Sequence, residues 1–76
     1  MFRELDTVVL TNNIDKHGLK KGDMGTVVHV YSDSGALEVE FVTADGKTVA
    51  VLTLNLSDVR STVKNEILHV RYFTTP

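Results

Sequence analysis

The chain has 76 residues, of which 42% are hydrophobic and 24% charged, and a formal net charge of -2. A chain of this length forms one domain with a small core. It contains no cysteine, so it forms no disulfide and offers no thiolate to zinc, which fits a reducing cytoplasm. The charge disfavours a dedicated nucleic-acid binder, which usually has a basic face. No apolar stretch approaches the ~20 residues of a membrane helix, so we expect no membrane partner.

Short runs rich in valine, threonine and isoleucine predict an all-β fold, because these residues favour pleated surfaces. Turn signals separate the runs, and Asp45-Gly46 is a strong hairpin signal between two of them. Asn55 to Val59 predicts a single helical or 3-10 turn. The predicted strands are Leu5–Thr11, Gly25–Tyr31, Ala36–Val42, Thr48–Leu54 and a short strand at Val59–Ser61.

The third predicted strand has the clearest pattern. Leu37, Val39 and Phe41 alternate with Glu38 and Glu40. A period of two places one apolar set on a dry face and the other set on a wet face. We therefore expect the three apolar residues in the core and both glutamates exposed. The two carboxylates are best interpreted as a solvated strand face rather than an acid–base pair.

The stretch LDTVVLTNNIDKHGLKKGDMGTVVHVY, followed by LEVEFVTADGKTVAVLTL, resembles a family of short bacterial proteins known only as a domain of unknown function. The resemblance covers Leu5 to Arg60. It implies a small SH3-like barrel of about five strands at residues 1–61, and it implies no catalytic residue. The shorter piece GDMGTV, Gly22 to Val27, is similar to the turn and strand of KOW domains and of the nitrile hydratase β subunit.

The last residues, 62–76, form a C-terminal extension outside this resemblance. Leu68, Val70 and Tyr72 alternate with His69 and Arg71, which predicts an extra, sixth strand. Such an apolar set is expected to pack on a surface, either on its own domain or on a second copy in a homodimer.

A glycine-rich loop after the first strand carries the main candidate binding residues, Lys16, His17, Lys20 and Lys21. Phosphate or nucleic acid can bind such a loop through charge. No aromatic residue is interleaved to stack on bases, so a solvated loop is the favoured interpretation. Tyr31 is expected at the barrel rim and completes the candidate set.

No pattern indicates an enzyme. His17, His29 and His69 lack the clustered spacing of metal ligands, and the serines occur in turn-like contexts. We expect no metal, cofactor or catalytic residue. The sequence favours a non-enzymatic module that binds another protein, such as a toxin encoded nearby. The alternative is a KOW-like nucleic-acid-binding accessory domain that uses the lysine loop.

Overall fold

A computed structural model describes residues 2–32 and 35–74 of the chain. Within them, five strands form one antiparallel sheet in the order β4-β3-β2-β1-β5. The only helical segments among these residues are two 3-10 turns, at Asp15–His17 and Leu56–Asp58. This confirms the all-β prediction. The strands are β1 (Thr7–Leu10), β2 (Met24–Tyr31), β3 (Ala36–Val42), β4 (Thr48–Asn55) and β5 (Val59–Ser61).

The hairpin between β3 and β4 forms where the Asp45-Gly46 pair predicts it. The Thr43 N–H donates to the Lys47 carbonyl at 2.9 Å. Gly46 has a φ of +86°, in the left-handed region that glycine enters without a Cβ penalty. The turn therefore follows from local chemistry.

The core is built from both ends of the sheet. Leu37, Val39 and Phe41 of β3 are all buried, as their alternation predicts. Leu54 of β4 and Val59 of β5 belong to the same apolar cluster, although their strands are the two edges of the sheet. The sheet therefore curves around one core.

The outer side of β3 differs slightly from expectation. Glu38 and Glu40 lie on the polar side but are half-buried rather than exposed. The reason is that β4 hydroxyls cover them: Thr53 donates to Glu38 at 2.5 Å, and Thr48 donates to Glu40 at 2.8 Å.

Gly25 in β2 lies where two strands approach very closely. A Cβ at this position would lie 2.6 Å from a Val39 methyl, 2.9 Å from the Phe41 ring and 3.0 Å from the Glu40 carbonyl. Only a residue without a side chain fits there. Gly25 thus leaves room for the Val39 and Phe41 side chains, which pack against the backbone of the paired strand β2.

The extension forms no strand within residues 62–74, so the prediction of a sixth strand is wrong. Among the described residues, the only backbone hydrogen bond of this segment outside regular elements joins the Glu66 N–H to the Val63 carbonyl, at 3.0 Å. The segment is held by side chains, not by sheet pairing. The last two positions of the predicted extension, 75 and 76, lie outside the described residues.

Candidate protein-binding site

Asp23 occupies the tight turn that leads into β2. Its carboxylate accepts a hydrogen bond from the Lys20 N–H at 2.8 Å, and its own N–H donates to the Lys20 carbonyl at 2.9 Å. Gly22 before it has a φ of +96°. This turn points the Asp23 side chain inward, where only 12% of the side chain is exposed. A short local motif therefore places a carboxylate at a protected position.

Arg71 of the extension binds that carboxylate through two nitrogens. Its Nε donates to Asp23 Oδ1 at 2.7 Å, and its Nη2 donates to Oδ2 at 2.5 Å. Nη2 also donates to the Gly18 carbonyl at 2.9 Å. The planar guanidinium matches a carboxylate in this forked geometry, which an ammonium group cannot reproduce. The body of the domain therefore presents an arginine pocket with three acceptor atoms.

The charges in this pocket favour their ionised forms. Burial raises the pKa of Asp23. The hydrogen bonds from Arg71 and from the Lys20 N–H, together with the charges of Arg71 and His69, lower this pKa by more than burial raises it. The net pKa of Asp23 therefore lies below its ordinary value. The hydrogen bond to Asp23 raises the pKa of Arg71 in turn. His69 Nε2 also lies 3.4 Å from Asp23 Oδ1.

A second arginine–carboxylate pair holds the start of the extension. Arg60 in β5 donates to both oxygens of Glu66, at 2.8 and 2.6 Å. The Val63 N–H donates to Glu66 at 2.7 Å. These contacts lower the pKa of Glu66 to about 2, with the hydrogen bond from Arg60 as the largest cause. The chain thereby turns at 63–66 and heads back across the sheet.

Between the extension and the sheet runs a groove of about 530 Å³. Its floor comes from β1, β2, β3, the start of β4 and the loops beside them, and its wall comes from residues 69–73. A smaller cavity of about 120 Å³ is lined by Leu68 and His69 of the extension and by Val9 and Met24 of the sheet. Val9 is buried although it is outside the core cluster. The extension thus covers part of the outer side of the sheet.

The extension presents an apolar face to water. Ile67, Leu68, Val70 and Tyr72 are 96%, 63%, 93% and 97% exposed. We call these four side chains the outward face. Of the two predicted alternatives for Leu68, Val70 and Tyr72, packing on their own domain does not occur, and packing on a second copy stays a prediction. The alternation itself is real, but Arg71 and Phe73 are the half-buried members, because Asp23 and Gly18 offer acceptors that an arginine can reach.

Sequence reasoning did not find Asp23, Arg71 or Phe73 as site residues. Asp23 belongs to the GDMGTV motif and has the pattern of a turn former. A usable signal was present in the extension, where an arginine stands inside an apolar run. Such a residue needs a carboxylate or carbonyl partner if any part of the run is covered.

The structure does not unite the predicted binding residues of the loop with Tyr31. Lys16, Lys20 and Lys21 are exposed, His17 is half-buried, and Lys20 Nζ lies 3.8 Å from Asp15. Tyr31 ends β2, whereas the loop precedes the start of β2. Eight residues of strand span roughly 25 Å. Tyr31 instead packs edge-on against His29, with ring centroids 4.6 Å apart.

Metal sites and membrane-spanning helices are both absent from the described part of the chain. Residues 2–32 and 35–74 hold no group of three or more histidine, aspartate or glutamate side chains placed to bind a metal ion. The same residues contain no helix long and apolar enough to cross a membrane. The groove and the outward face are the candidate binding surfaces of the described residues.

A curved five-stranded sheet with a folded-back extension defines a small all-β domain. Residues 4–61 match a domain of unknown function, DUF4926, and the chain belongs to that family. No curated protein and no solved structure matches the chain. The family match ends at β5, so Arg71 and the outward face lie beyond it.

Proposed function

We propose that this chain is a non-enzymatic protein-interaction module of the bacterial cytoplasm, built on an SH3-like barrel. The observation that carries the proposal is the outward face. Four large apolar side chains in one short segment remain in water, and contiguous apolar patches on small soluble domains mark interaction sites. The partner is another protein, such as a toxin encoded nearby, or a second copy of the chain.

The strand arrangement supports the SH3-like assignment. β1 pairs with β5 in antiparallel register, with Val9 opposite Arg60. The first and last strands are thus neighbours, and Leu54 and Val59 from the two edges share one core. A sheet that curves until its two edge strands share one core approaches a closed barrel, and closure removes exposed edges.

Protein binding is favoured over nucleic-acid binding by the distribution of groups. Lys20 Nζ lies 3.8 Å from the Asp15 carboxylate, which offsets part of the positive charge of the loop. A base-stacking platform combines aromatic side chains with a basic groove. Glu40 and Asp23 line the groove here, which disfavours a phosphate backbone.

The test compares two matched variants of the outward face and its flank. Val70→Ser with Tyr72→Ser removes two of its members, and Val63→Ser removes an exposed valine outside it. Self-association is followed by light scattering, and binding to other proteins by cross-linking in cell lysate. We expect the double variant to lose association that the wild type and Val63→Ser retain.

Equal association by all three chains contradicts the proposal. Retention on immobilised RNA, lost when Lys16, Lys20 and Lys21 are neutralised together with a preserved fold, supports the nucleic-acid alternative instead. Under that alternative, retention on RNA should fall steeply as salt is added, because phosphate contacts release counterions.

A further inference from the structure

We propose that the Asp23 pocket and its groove form a binding site for an extended peptide of a partner protein, in which an arginine is followed two positions later by an aromatic residue. The chain's own extension is the tethered occupant of this site. Val70 and Tyr72 of the outward face also line this groove. The pocket itself depends on Asp23 and Gly18, so changes at Arg71 and Asp23 test this proposal while every side chain of the outward face stays in place.

The acceptors of the pocket are positioned without help from the extension. Asp23 is held by the Lys20 N–H at 2.8 Å. Gly18 closes the preceding 3-10 turn in a left-handed conformation, and its N–H donates to the Asp15 carbonyl at 3.1 Å. The three oxygens that Arg71 contacts therefore belong to two local turns. A site preorganised in this way keeps its geometry when the extension leaves.

The second specificity element is the position two residues after the arginine. Successive side chains of an extended segment point to opposite sides, so Arg71 and Phe73 face the domain together. Phe73 lines the groove with Phe41, Val42 and Val49. An arginine in the carboxylate pocket sets the register, and an aromatic side chain two positions on reaches the apolar floor.

The extension fits this groove incompletely. Among the described residues, none of the backbone groups from 67 to 74 bonds to the rest of the domain. A space of about 530 Å³ stays open beneath it. A segment with more bulk or with backbone pairing would make contacts that the extension does not make. The extension is therefore a replaceable occupant.

A foreign segment suits this arrangement better than the extension of a second copy. The extension of another copy offers the same contacts as the tethered one, without the high effective concentration that a short link provides. Only a ligand that also uses the unfilled space gains over the tethered occupant. The source of the peptide is therefore a partner protein.

The experiment uses full-length chains and a labelled peptide with the sequence ILHVRYFT, identical to residues 67–74. Arg71→Ser in the chain vacates the pocket while leaving its acceptors in place. In fluorescence anisotropy we expect the peptide to bind this variant at least ~10-fold tighter than the wild type, whose extension competes. Adding Asp23→Asn should weaken that binding by ~10-fold or more, because the ionised acceptor is lost.

A second peptide with lysine in place of arginine keeps the test decisive if Asp23→Asn impairs folding. It carries the same charge but cannot bind in the forked geometry, so it should bind Arg71→Ser at least ~10-fold more weakly. Equal affinity for both chains, or for both peptides, overturns the proposal. So does a wild type that is a dimer and becomes a monomer in Arg71→Ser, since the occupant is then a second copy.

Discussion

Asp23 and Arg71 lie 48 positions apart in the sequence and meet through two hydrogen bonds, at 2.7 and 2.5 Å. This contact joins the turn before β2 to a segment beyond the end of the sheet. It decides which side of the extension faces the domain. Because neighbouring side chains of an extended segment point to opposite sides, Val70 and Tyr72 face water when Arg71 faces the domain. This orientation produces the outward face.

A double-mutant cycle on this pair should show coupling. Asp23→Asn removes the negative charge while keeping the shape of the side chain, and Arg71→Gln removes the guanidinium together with its charge. We expect a coupling free energy of about 1.5–3 kcal/mol in urea unfolding, the range for hydrogen bonds to charged groups. Additive effects of the two changes would show that the pair does not hold the extension.

The second arginine–carboxylate pair is the matched comparison. Arg60 and Glu66 are more exposed than Asp23 and Arg71. Exposed ion pairs contribute little to stability because solvent screens them. The same cycle with Arg60→Gln and Glu66→Gln should therefore give the smaller coupling.

Acid should release the extension. The pKa of Asp23 is lowered from 3.8 by the docked Arg71 and its neighbours, so docking is favoured by the ionised carboxylate. The stabilisation is complete above about 3.8 and is lost as pH falls through the lower, docked value. Amide signals of residues 69–73, followed by NMR, should change in this range. Asp23→Asn should abolish this transition, and a transition that persists would assign it to another group.

Replacing Leu5 should stabilise the domain. Leu5 has a φ of +73° and is 80% exposed, so it bears left-handed strain without compensating burial. Leu5→Asn should raise the free energy of unfolding by about 1 kcal/mol, because asparagine tolerates this region. Leu5→Ala, which keeps the Cβ, is the control and should change little. Thermal unfolding distinguishes them, and equal melting temperatures would contradict the prediction.

Adjacent residues at the end of β3 test the core assignment. Phe41 is 2% exposed and Val42 is 51% exposed. Phe41→Ala should destabilise the domain by about 3–5 kcal/mol, enough to unfold much of a small protein. Val42→Ala should cost less than about 1 kcal/mol. Similar denaturant midpoints for the two variants would show that the core does not lie on the Phe41 side of β3.

The sheet is the part that the sequence predicts well, since its signals are local. The alternation at Leu37, Val39 and Phe41 and the Asp45-Gly46 turn each depend on neighbours within a few residues. Gly25 shows what such local signals do not predict, namely a contact between residues far apart in the sequence. In the sequence Gly25 only begins the second predicted strand, and the approach of the Val39 and Phe41 side chains in the structure shows why a glycine is needed there.

The extension is the part that local signals cannot settle. Its period of two is visible at Leu68, Val70 and Tyr72, but a period does not say which set faces inward. The apolar set is the natural choice from hydrophobicity. The outcome depends on an acceptor cluster at Asp23, far away in the sequence, whose two bonds to Arg71 fix the opposite orientation.

The most direct test of the docked extension is backbone dynamics. The {1H}-15N heteronuclear NOE of residues 69–73 is measured in the wild type and in Arg71→Gln, with β3 as the internal rigid reference. We predict wild-type values close to those of β3 and a clear fall in the variant. Low values in the wild type, equal to those of the variant, would contradict the claim that Asp23 and Arg71 hold the extension on the sheet.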